Sequence, residues 1–215
     1  MTLQDKLDAI TAHTRELVQP ERLAVSERAV EELFATRIEE QLLRPGDIAP
    51  PFALPEASGK LVRSEDLLAL GPLVVSFFRG RWCPYCVTEL EAWRDAFPTV
   101  RACGALMVAI SSQTVRHNDF TATQHELPFP LLRDEGAALA GRFGASYQVP
   151  AFMQAHYRSI LVNVPFINGE ASWQLPVPAT FLVGKDGMVK WAQGYADFRV
   201  RPEPDELLRV LKATH

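Results

Sequence analysis

The sequence predicts an α/β protein with a mixed central β-sheet and helices on both of its faces. Residues 73–78 and 105–110 are near-continuous apolar runs, as expected of strands buried on both sides. Residues 179–183 and 188–191 flank Gly184-Lys185-Asp186-Gly187, which is typical of a hairpin turn. The order strand–helix–strand–helix, followed by a hairpin and a helix, indicates this mixed architecture.

Residues 1–44 are predicted to form an N-terminal helical extension, and residues 45–215 one main domain. Apolar residues recur at helical spacing on both sides of Pro20, and Pro45-Gly46 ends the second run. An amphipathic helical pair of this kind usually buries its apolar face on its own core. A dimerisation arm is the alternative interpretation.

The remaining elements are shorter and lie between these landmarks. The segment 151–176 is ambiguous, so no structure is assigned to all of it. The other predicted elements are a hairpin over 52–62, helices over 64–70, 83–97, 114–126, 135–143 and 206–211, and a strand over 129–132.

The composition restricts the class of protein. The chain of 215 residues is 47% hydrophobic and 22% charged, which is ordinary for a soluble globular protein. A net charge of -4 argues against non-specific nucleic-acid binding. Because neither a secretory signal nor an apolar run of membrane-spanning length is visible, we expect a cytoplasmic location without membrane contact.

The three cysteines are Cys83, Cys86 and Cys103. A disulfide scaffold needs several pairs of cysteines, so this small and odd number does not indicate one. Cys83 and Cys86 form a Cys-x-x-Cys pair where a buried strand turns into a helix. Residues three apart on a helix share a face, which suits a disulfide. The helix N-terminus stabilises a thiolate, Pro84 fits the first turn, and the arginines at positions 79 and 81 add positive charge.

Other interpretations of these residues remain. Cys-x-x-Cys can be half of a zinc site, but no second pair and no histidine spacing completes one, so neither a metal nor an organic cofactor is expected. An inert buried pair is a second alternative. Cys103 is interpreted as a packed cysteine at the start of a buried strand, with a resolving role as the alternative. Trp82 is expected to pack as a wall over the site.

The segment Trp82-Cys83-Pro84-Tyr85-Cys86 resembles the thioredoxin-superfamily active site. The segment 177–187 resembles the one that carries the superfamily's cis-proline, which makes Pro178 that residue. A wider resemblance, over about residues 45–195, is to the peroxiredoxin-like alkyl hydroperoxide reductase/thiol-specific antioxidant family. It implies a thioredoxin fold of three αβα layers with a mixed central sheet.

Two departures from typical peroxiredoxins leave the nucleophile open. Aligning Cys86-Val87-Thr88-Glu89 on the family pattern places the peroxidatic position at Cys86 and the usual threonine at Cys83. The usual arginine position falls on Pro178. Helix-end electrostatics instead favour Cys83, which is nearer the N-terminus and expected to be more exposed. The resemblance implies Cys83 and Cys86 as catalytic residues, supported by Trp82, Pro84, Arg81, Glu89 and Pro178.

The resemblance implies an oxidoreductase: a thiol-dependent peroxidase that reduces hydrogen or organic peroxides through Cys83 and Cys86. Its partners would be the peroxide, a thioredoxin-like electron donor and a second copy of the chain in a homodimer. The alternative is a thiol–disulfide oxidoreductase of the thioredoxin type. A third hypothesis is a non-catalytic module whose helical arm binds a partner.

Overall fold

The computed structural model describes residues 1–213, so the last two residues of the predicted main domain lie outside it. The strands are β1 (Ala53–Pro55), β2 (Leu61–Arg63), β3 (Leu73–Phe77), β4 (Leu106–Ser111), β5 (Leu131–Arg133), β6 (Ser146–Gln148), β7 (Gln174–Pro176), β8 (Ala179–Val183) and β9 (Val189–Gly194). Five of them form the central sheet, in the order β5-β4-β3-β8-β9. The two remaining pairs, β1–β2 and β6–β7, form small antiparallel sheets.

The central sheet is mixed, as predicted. Strand β3 pairs in parallel with β4, which pairs in parallel with β5, whereas β3–β8 and β8–β9 are antiparallel. The helices are α1 (Leu3–Leu17), α2 (Pro20–Ala35), α3 (Ile38–Gln41), α4 (Ser64–Leu70), α5 (Pro84–Ala102), α6 (Val115–Gln124), α7 (Ala138–Arg142), α8 (Ala151–Ser159), α9 (Val164–Asn168) and α10 (Pro204–Ala213).

Alternating side chains of the central strands face two separate cores. Val74, Met107 and Leu182 belong to a cluster with α1, α5 and α10 on one face of the sheet. Val75 and Phe181 belong to a second cluster with α7 on the other face. Because side chains point alternately up and down along a strand, uniformly apolar strands can serve both layers. The three-layer αβα thioredoxin fold is therefore confirmed.

The N-terminal helices pack on the rest of the chain. Leu3 and Leu7 of α1 are buried in the cluster that contains α5 and α10. Helix α2 contains no buried residue but lies against α8, and Glu27 on it forms an ion pair with Arg199. The apolar stripe of α1 thus contributes to the main core.

Several boundaries differ from the prediction. Helix α5 continues past Pro98 to Ala102, because Val100 beyond the proline is fully buried and holds the last turn in the core. Cys103 does not begin a strand: it is the half-buried residue that ends α5. The segment left unassigned contains α8, α9 and β7.

Candidate active site

Cys83 stands at the junction between the loop after β3 and helix α5. It is the N-cap residue of α5, and Pro84 occupies the first turn, where its missing N–H leaves no helical bond unmade. Cys86 follows one turn later and donates its backbone N–H to the Cys83 carbonyl at 3.1 Å. Gly80 has a φ of 148°, and a Cβ there would lie 2.6 Å from Trp82 Nε1, so only glycine allows this close approach.

Both cysteines are buried, Cys83 at 2% and Cys86 at 0% exposure. Cys83 nevertheless lines a cavity of about 260 Å³, whereas Cys86 is packed in the core behind it. Cys83 was expected to be more exposed than Cys86. Both side chains are almost fully buried, and Cys83 is the more accessible one only because it lines this cavity. The helices α1 and α2 cover it, which is why the exposed fraction is so small.

The two thiols differ strongly in pKa. Burial on its own raises the pKa of Cys83, but hydrogen bonds from Cys86 and the charges of Arg79 and Arg201 outweigh it and lower the pKa to about 6. Burial raises the pKa of Cys86 well above its ordinary value, and the Cys83 thiolate raises it further. At neutral pH the pair therefore holds one negative charge, on Cys83, and one proton, on Cys86.

Arg79 is a buried cation beside the pair. It follows β3, and its guanidinium donates to the hydroxyl of Tyr157 on α8. The guanidinium carbon lies 4.8 Å from the Trp82 ring and 4.4 Å from the Phe198 ring. These rings and the hydroxyl hold Arg79 in place and compensate for its burial.

Arg201 is the second buried cation. Its Nη2 lies 3.6 Å from Cys86 Sγ, and its Nε donates to Glu89 Oε2 at 2.5 Å. Burial raises the pKa of Glu89 to about 7, although the charge of Arg201 opposes that rise. Glu89 is one helical turn after Cys86 on α5, so Glu89, Arg201 and Cys86 form a continuous buried polar chain.

The structure corrects two expectations for the supporting residues. No peptide bond in residues 1–213 is cis, so Pro178 is not a cis-proline. The trans bond keeps the chain extended between β7 and β8, where Val177 donates its N–H to the Ala145 carbonyl at 2.7 Å. Arg81 does not supply charge to the cysteines: it is exposed and its guanidinium lies over Phe120, at 4.4 Å from the ring centroid.

Trp82 and Pro178 each line a cavity at the site. Trp82 lines the cavity and contacts Tyr157 edge-on, with 4.9 Å between ring centroids, so it does form a wall of the site. Pro178 is buried and faces a small cavity shared with Arg79 and Tyr157. Within residues 1–213, no three His, Cys, Asp or Glu side chains converge in a way that could hold a metal ion.

The site residues that the sequence did not identify are Arg201 and Tyr157. Arg201 lies in the loop before α10, remote from the Cys-x-x-Cys motif in sequence, and Tyr157 lies in the segment left unassigned. The cation expected at position 178 in a typical peroxiredoxin is thus provided from two other places, by Arg79 and Arg201.

A Cys-x-x-Cys pair at the N-terminus of the helix after the central β3, with one thiolate beside buried arginines, defines a thioredoxin-fold thiol redox protein. The chain belongs to the AhpC/TSA family, whose model matches residues 45–192. It is accordingly an oxidoreductase, a thiol-dependent peroxidase of the peroxiredoxin type.

Curated relatives and solved structures agree with this assignment. The chain is 26% identical to chloroplastic peroxiredoxin Q of Sedum lineare over 168 residues, which cover 78% of this chain and 77% of that one. It is 31% identical over 102 residues to a putative peroxiredoxin of Mycobacterium tuberculosis, covering 47% of this chain and 66% of the other.

The crystal structure of peroxidoxin BcpB from Mycobacterium tuberculosis shares the fold, with a TM-score of 0.63 and 24% identity over 80% of this chain and 99% of that one. None of the helices in residues 1–213 combines the length and hydropathy needed to cross a bilayer.

Proposed function

We propose that Cys83 is the cysteine that attacks the peroxide and that Cys86 resolves the product. The observation that carries this proposal is the combination at Cys83 of a pKa lowered to about 6 and a place on the cavity wall. The thiolate is the nucleophilic form of cysteine, so a low pKa and access are the two requirements. Cys86 meets neither before Cys83 reacts.

In the first step the Cys83 thiolate attacks the distal oxygen of the peroxide ROOH. An S–O bond forms and the O–O bond breaks, so sulfur is oxidised to the sulfenic acid and RO⁻ leaves, taking up a proton to become ROH. Arg79 and Arg201 place positive charge beside the reacting sulfur, where they stabilise the negative charge as it moves to the leaving oxygen.

In the second step Cys86 attacks Cys83 Sγ, which forms the disulfide and expels the sulfenic oxygen as water. The first step prepares the second. The negative charge of Cys83 is one cause of the raised pKa of Cys86, and a neutral sulfenic acid removes it. Arg201, at 3.6 Å from Cys86 Sγ, then favours the Cys86 thiolate.

A thioredoxin-type dithiol returns the pair to the reduced state by thiol–disulfide exchange: the donor is oxidised to its own disulfide and both cysteines regain hydrogen. The homodimer, the cytoplasmic location and the division into an extension over 1–44 and a domain over 45–215 remain predictions from the sequence.

The test is stopped-flow oxidation by hydrogen peroxide, followed by tryptophan fluorescence, for the reduced wild type, Cys83→Ser and Cys86→Ser. We expect Cys86→Ser to react as fast as the wild type to within a few fold and to stop at the sulfenic acid. We expect Cys83→Ser to react no faster than an ordinary thiol. The opposite pattern would assign the attack to Cys86, the position that matches typical peroxiredoxins.

The runner-up is a thiol–disulfide oxidoreductase, which the intact Cys-Pro-Tyr-Cys sequence favours. The burial of both cysteines and the trans bond at Pro178 count against it. An insulin or glutathione-disulfide reduction assay discriminates the two functions. If the wild type reduces disulfides rapidly but reacts with peroxide no faster than a free thiol, this alternative replaces the peroxidase.

A further inference from the structure

The oxygen that leaves the peroxide needs a proton, and the two cysteines do not supply it in the first step. Cys83 reacts as the thiolate, and the hydrogen of Cys86 is bonded to the Cys83 sulfur. Hydroxide is a strong base, because water has a pKa of about 15.7. A proton donor on the cavity wall would therefore lower the barrier to breaking the O–O bond.

Tyr157 lines the same cavity as Cys83, and its side chain is buried at 4% exposure. Its hydroxyl oxygen accepts a hydrogen bond from Arg79, which also lines the cavity. Because a guanidinium can only donate, this bond does not use the hydroxyl hydrogen of Tyr157. The charge of Arg79 acts on both Tyr157 and Cys83, so the hydroxyl and the reacting sulfur share one cation.

Three other hydroxyls on the cavity wall already use their hydrogens. Thr11 and Thr14 donate to backbone carbonyls one turn earlier on α1, at 3.1 and 2.7 Å. Since Thr11 has a single hydrogen, its 3.1 Å contact with the Tyr85 hydroxyl uses the hydrogen of Tyr85. These groups hold α1 against α5, whereas the Tyr157 hydroxyl is bonded to the cation of the site.

The surroundings of Tyr157 suit a donor. Burial raises the pKa of its hydroxyl, and the charge of Arg79 opposes that rise, so the group holds its proton at neutral pH. The same charge stabilises the tyrosinate that remains after the proton is given away. Within residues 1–213, two buried N–H groups beside Tyr157, Arg79 Nε and Trp82 Nε1, have no hydrogen-bond partner. An oxygen atom held there would satisfy donors that are costly to bury unpaired.

We propose that Tyr157 is a catalytic residue that donates its hydroxyl proton to the leaving oxygen of the peroxide. The Cys83 thiolate forms the S–O bond with the distal oxygen and the O–O bond breaks. The electron pair of that bond passes to the proximal oxygen, which takes the proton and leaves as ROH. The tyrosinate beside Arg79 then regains a proton from solvent. This inference rests on the proposed attack by Cys83 and adds the source of the proton.

The test compares two oxidants whose leaving groups differ in basicity. Hydrogen peroxide releases hydroxide, whereas peroxyacetic acid releases acetate, which is stable as an anion near neutral pH. The reduced wild type and Tyr157→Phe, as full chains, are mixed with each oxidant at about pH 7, quenched with acid and analysed by mass spectrometry. We expect Tyr157→Phe to slow oxidation by hydrogen peroxide about a hundredfold and oxidation by peroxyacetic acid less than about threefold.

Two control variants test whether the effect belongs to this hydroxyl. Tyr147→Phe makes the same change at a tyrosine that lines the smaller cavity with Arg79. His156→Asn removes the neighbouring ring on the wall of the Cys83 cavity, the alternative donor. Both variants should keep the wild-type ratio of the two rates. The thiolate pKa of Tyr157→Phe, measured by ultraviolet absorbance, should lie within about half a unit of the wild-type value.

A measurement on the wild type needs no variant: oxidation by hydrogen peroxide should be about twofold slower in D₂O than in H₂O, and oxidation by peroxyacetic acid nearly unchanged. Equal isotope effects for the two oxidants would overturn the inference.

Three results with the variants would overturn the inference and leave the peroxidase intact. Equal slowing of both oxidants in a folded Tyr157→Phe, with a raised thiolate pKa, would mean that Tyr157 acts only by holding Arg79. The second is an unchanged rate with hydrogen peroxide, and the third is a selective loss in His156→Asn instead. If the wild type reacts with neither oxidant faster than an ordinary thiol does, the proposed function fails and the role of Tyr157 fails with it.

Discussion

The buried Glu89 makes a specific prediction about how stability depends on pH. Its pKa rises from an ordinary value of 4.5 to about 7, chiefly because of burial. A carboxyl group whose pKa is higher in the folded than in the unfolded state binds its proton more tightly when folded, so its protonation stabilises the fold. The contribution of Glu89 to the free energy of unfolding is therefore fully present below about pH 4.5 and is lost as the pH rises through about 7. At roughly 1.4 kcal/mol for each unit of pKa, the full loss is about 3 kcal/mol.

The variant Glu89→Gln keeps the shape of the side chain and cannot ionise. We expect the difference in unfolding free energy, wild type minus Glu89→Gln, to fall by about 3 kcal/mol between about pH 4 and pH 8. The difference isolates Glu89, because Cys83 and the other titrating groups are present in both proteins. The measurement is urea unfolding of the reduced proteins at a series of pH values.

Glu31→Gln is the matched control, because it makes the same chemical change at an exposed position on α2, away from the buried site. A difference for Glu89→Gln that does not change with pH would refute the reasoning. It would mean that Arg201, at 2.5 Å, holds Glu89 ionised over the whole range despite its burial.

Three further predictions follow from the same contacts. The rate of wild-type oxidation by hydrogen peroxide should rise with pH to a plateau, with a midpoint near pH 6, because the thiolate is the reactive form. About nine-tenths of Cys83 would then be thiolate at pH 7, against about one-hundredth of a thiol with the ordinary pKa of 9.0. A midpoint above pH 8 in a stopped-flow pH series would contradict this prediction. Arg79→Met should raise the thiolate pKa, measured by ultraviolet absorbance, and slow oxidation at pH 7 by about tenfold, whereas Arg81→Met should change neither; equal effects of the two variants would remove Arg79 from the site. Leu7→Ala should lower the unfolding free energy by about 2–5 kcal/mol and the exposed Leu17→Ala by less than about 0.5 kcal/mol; similar values for both would show that α1 is not part of the core.

The strength of the sequence prediction lay in local patterns. A strand buried on both faces must be apolar throughout, so the runs around β3 and β4 identified the centre of the sheet. A Cys-x-x-Cys pair directly after such a strand must stand at a helix N-terminus, which located Cys83 and Cys86. These features depend only on neighbours along the chain.

The contacts that tune the site are long-range, and the sequence could not supply them. Arg201 reaches Cys86 from a loop 115 positions away, and no periodicity marks that loop as part of the site. Tyr157 lies in a helix whose short apolar pattern is ambiguous on its own. Cys103 was misplaced because Gly104 breaks the chain between helix and strand, and the break can be assigned to either element.

Pro178 shows a different limit. Resemblance to the thioredoxin superfamily placed a cis bond there, and the residue does lie beside the site, facing a cavity shared with Arg79. The backbone geometry, however, depends on how β7 continues into β8, and that extended path uses a trans bond. Sequence resemblance thus predicted the position of the residue but not its conformation.

The central claim is that Cys83 is the thiolate that attacks peroxide, and trapping the sulfenic acid tests it most directly. Reduced Cys86→Ser is treated with one equivalent of hydrogen peroxide in the presence of a sulfenic-acid-specific nucleophile, and the labelled peptide is identified by mass spectrometry, with Cys83→Ser treated in parallel. We predict stoichiometric labelling at Cys83 and little labelling at Cys86 in the parallel variant. Labelling at Cys86 in Cys83→Ser, at a rate equal to that of wild-type oxidation, would contradict the account.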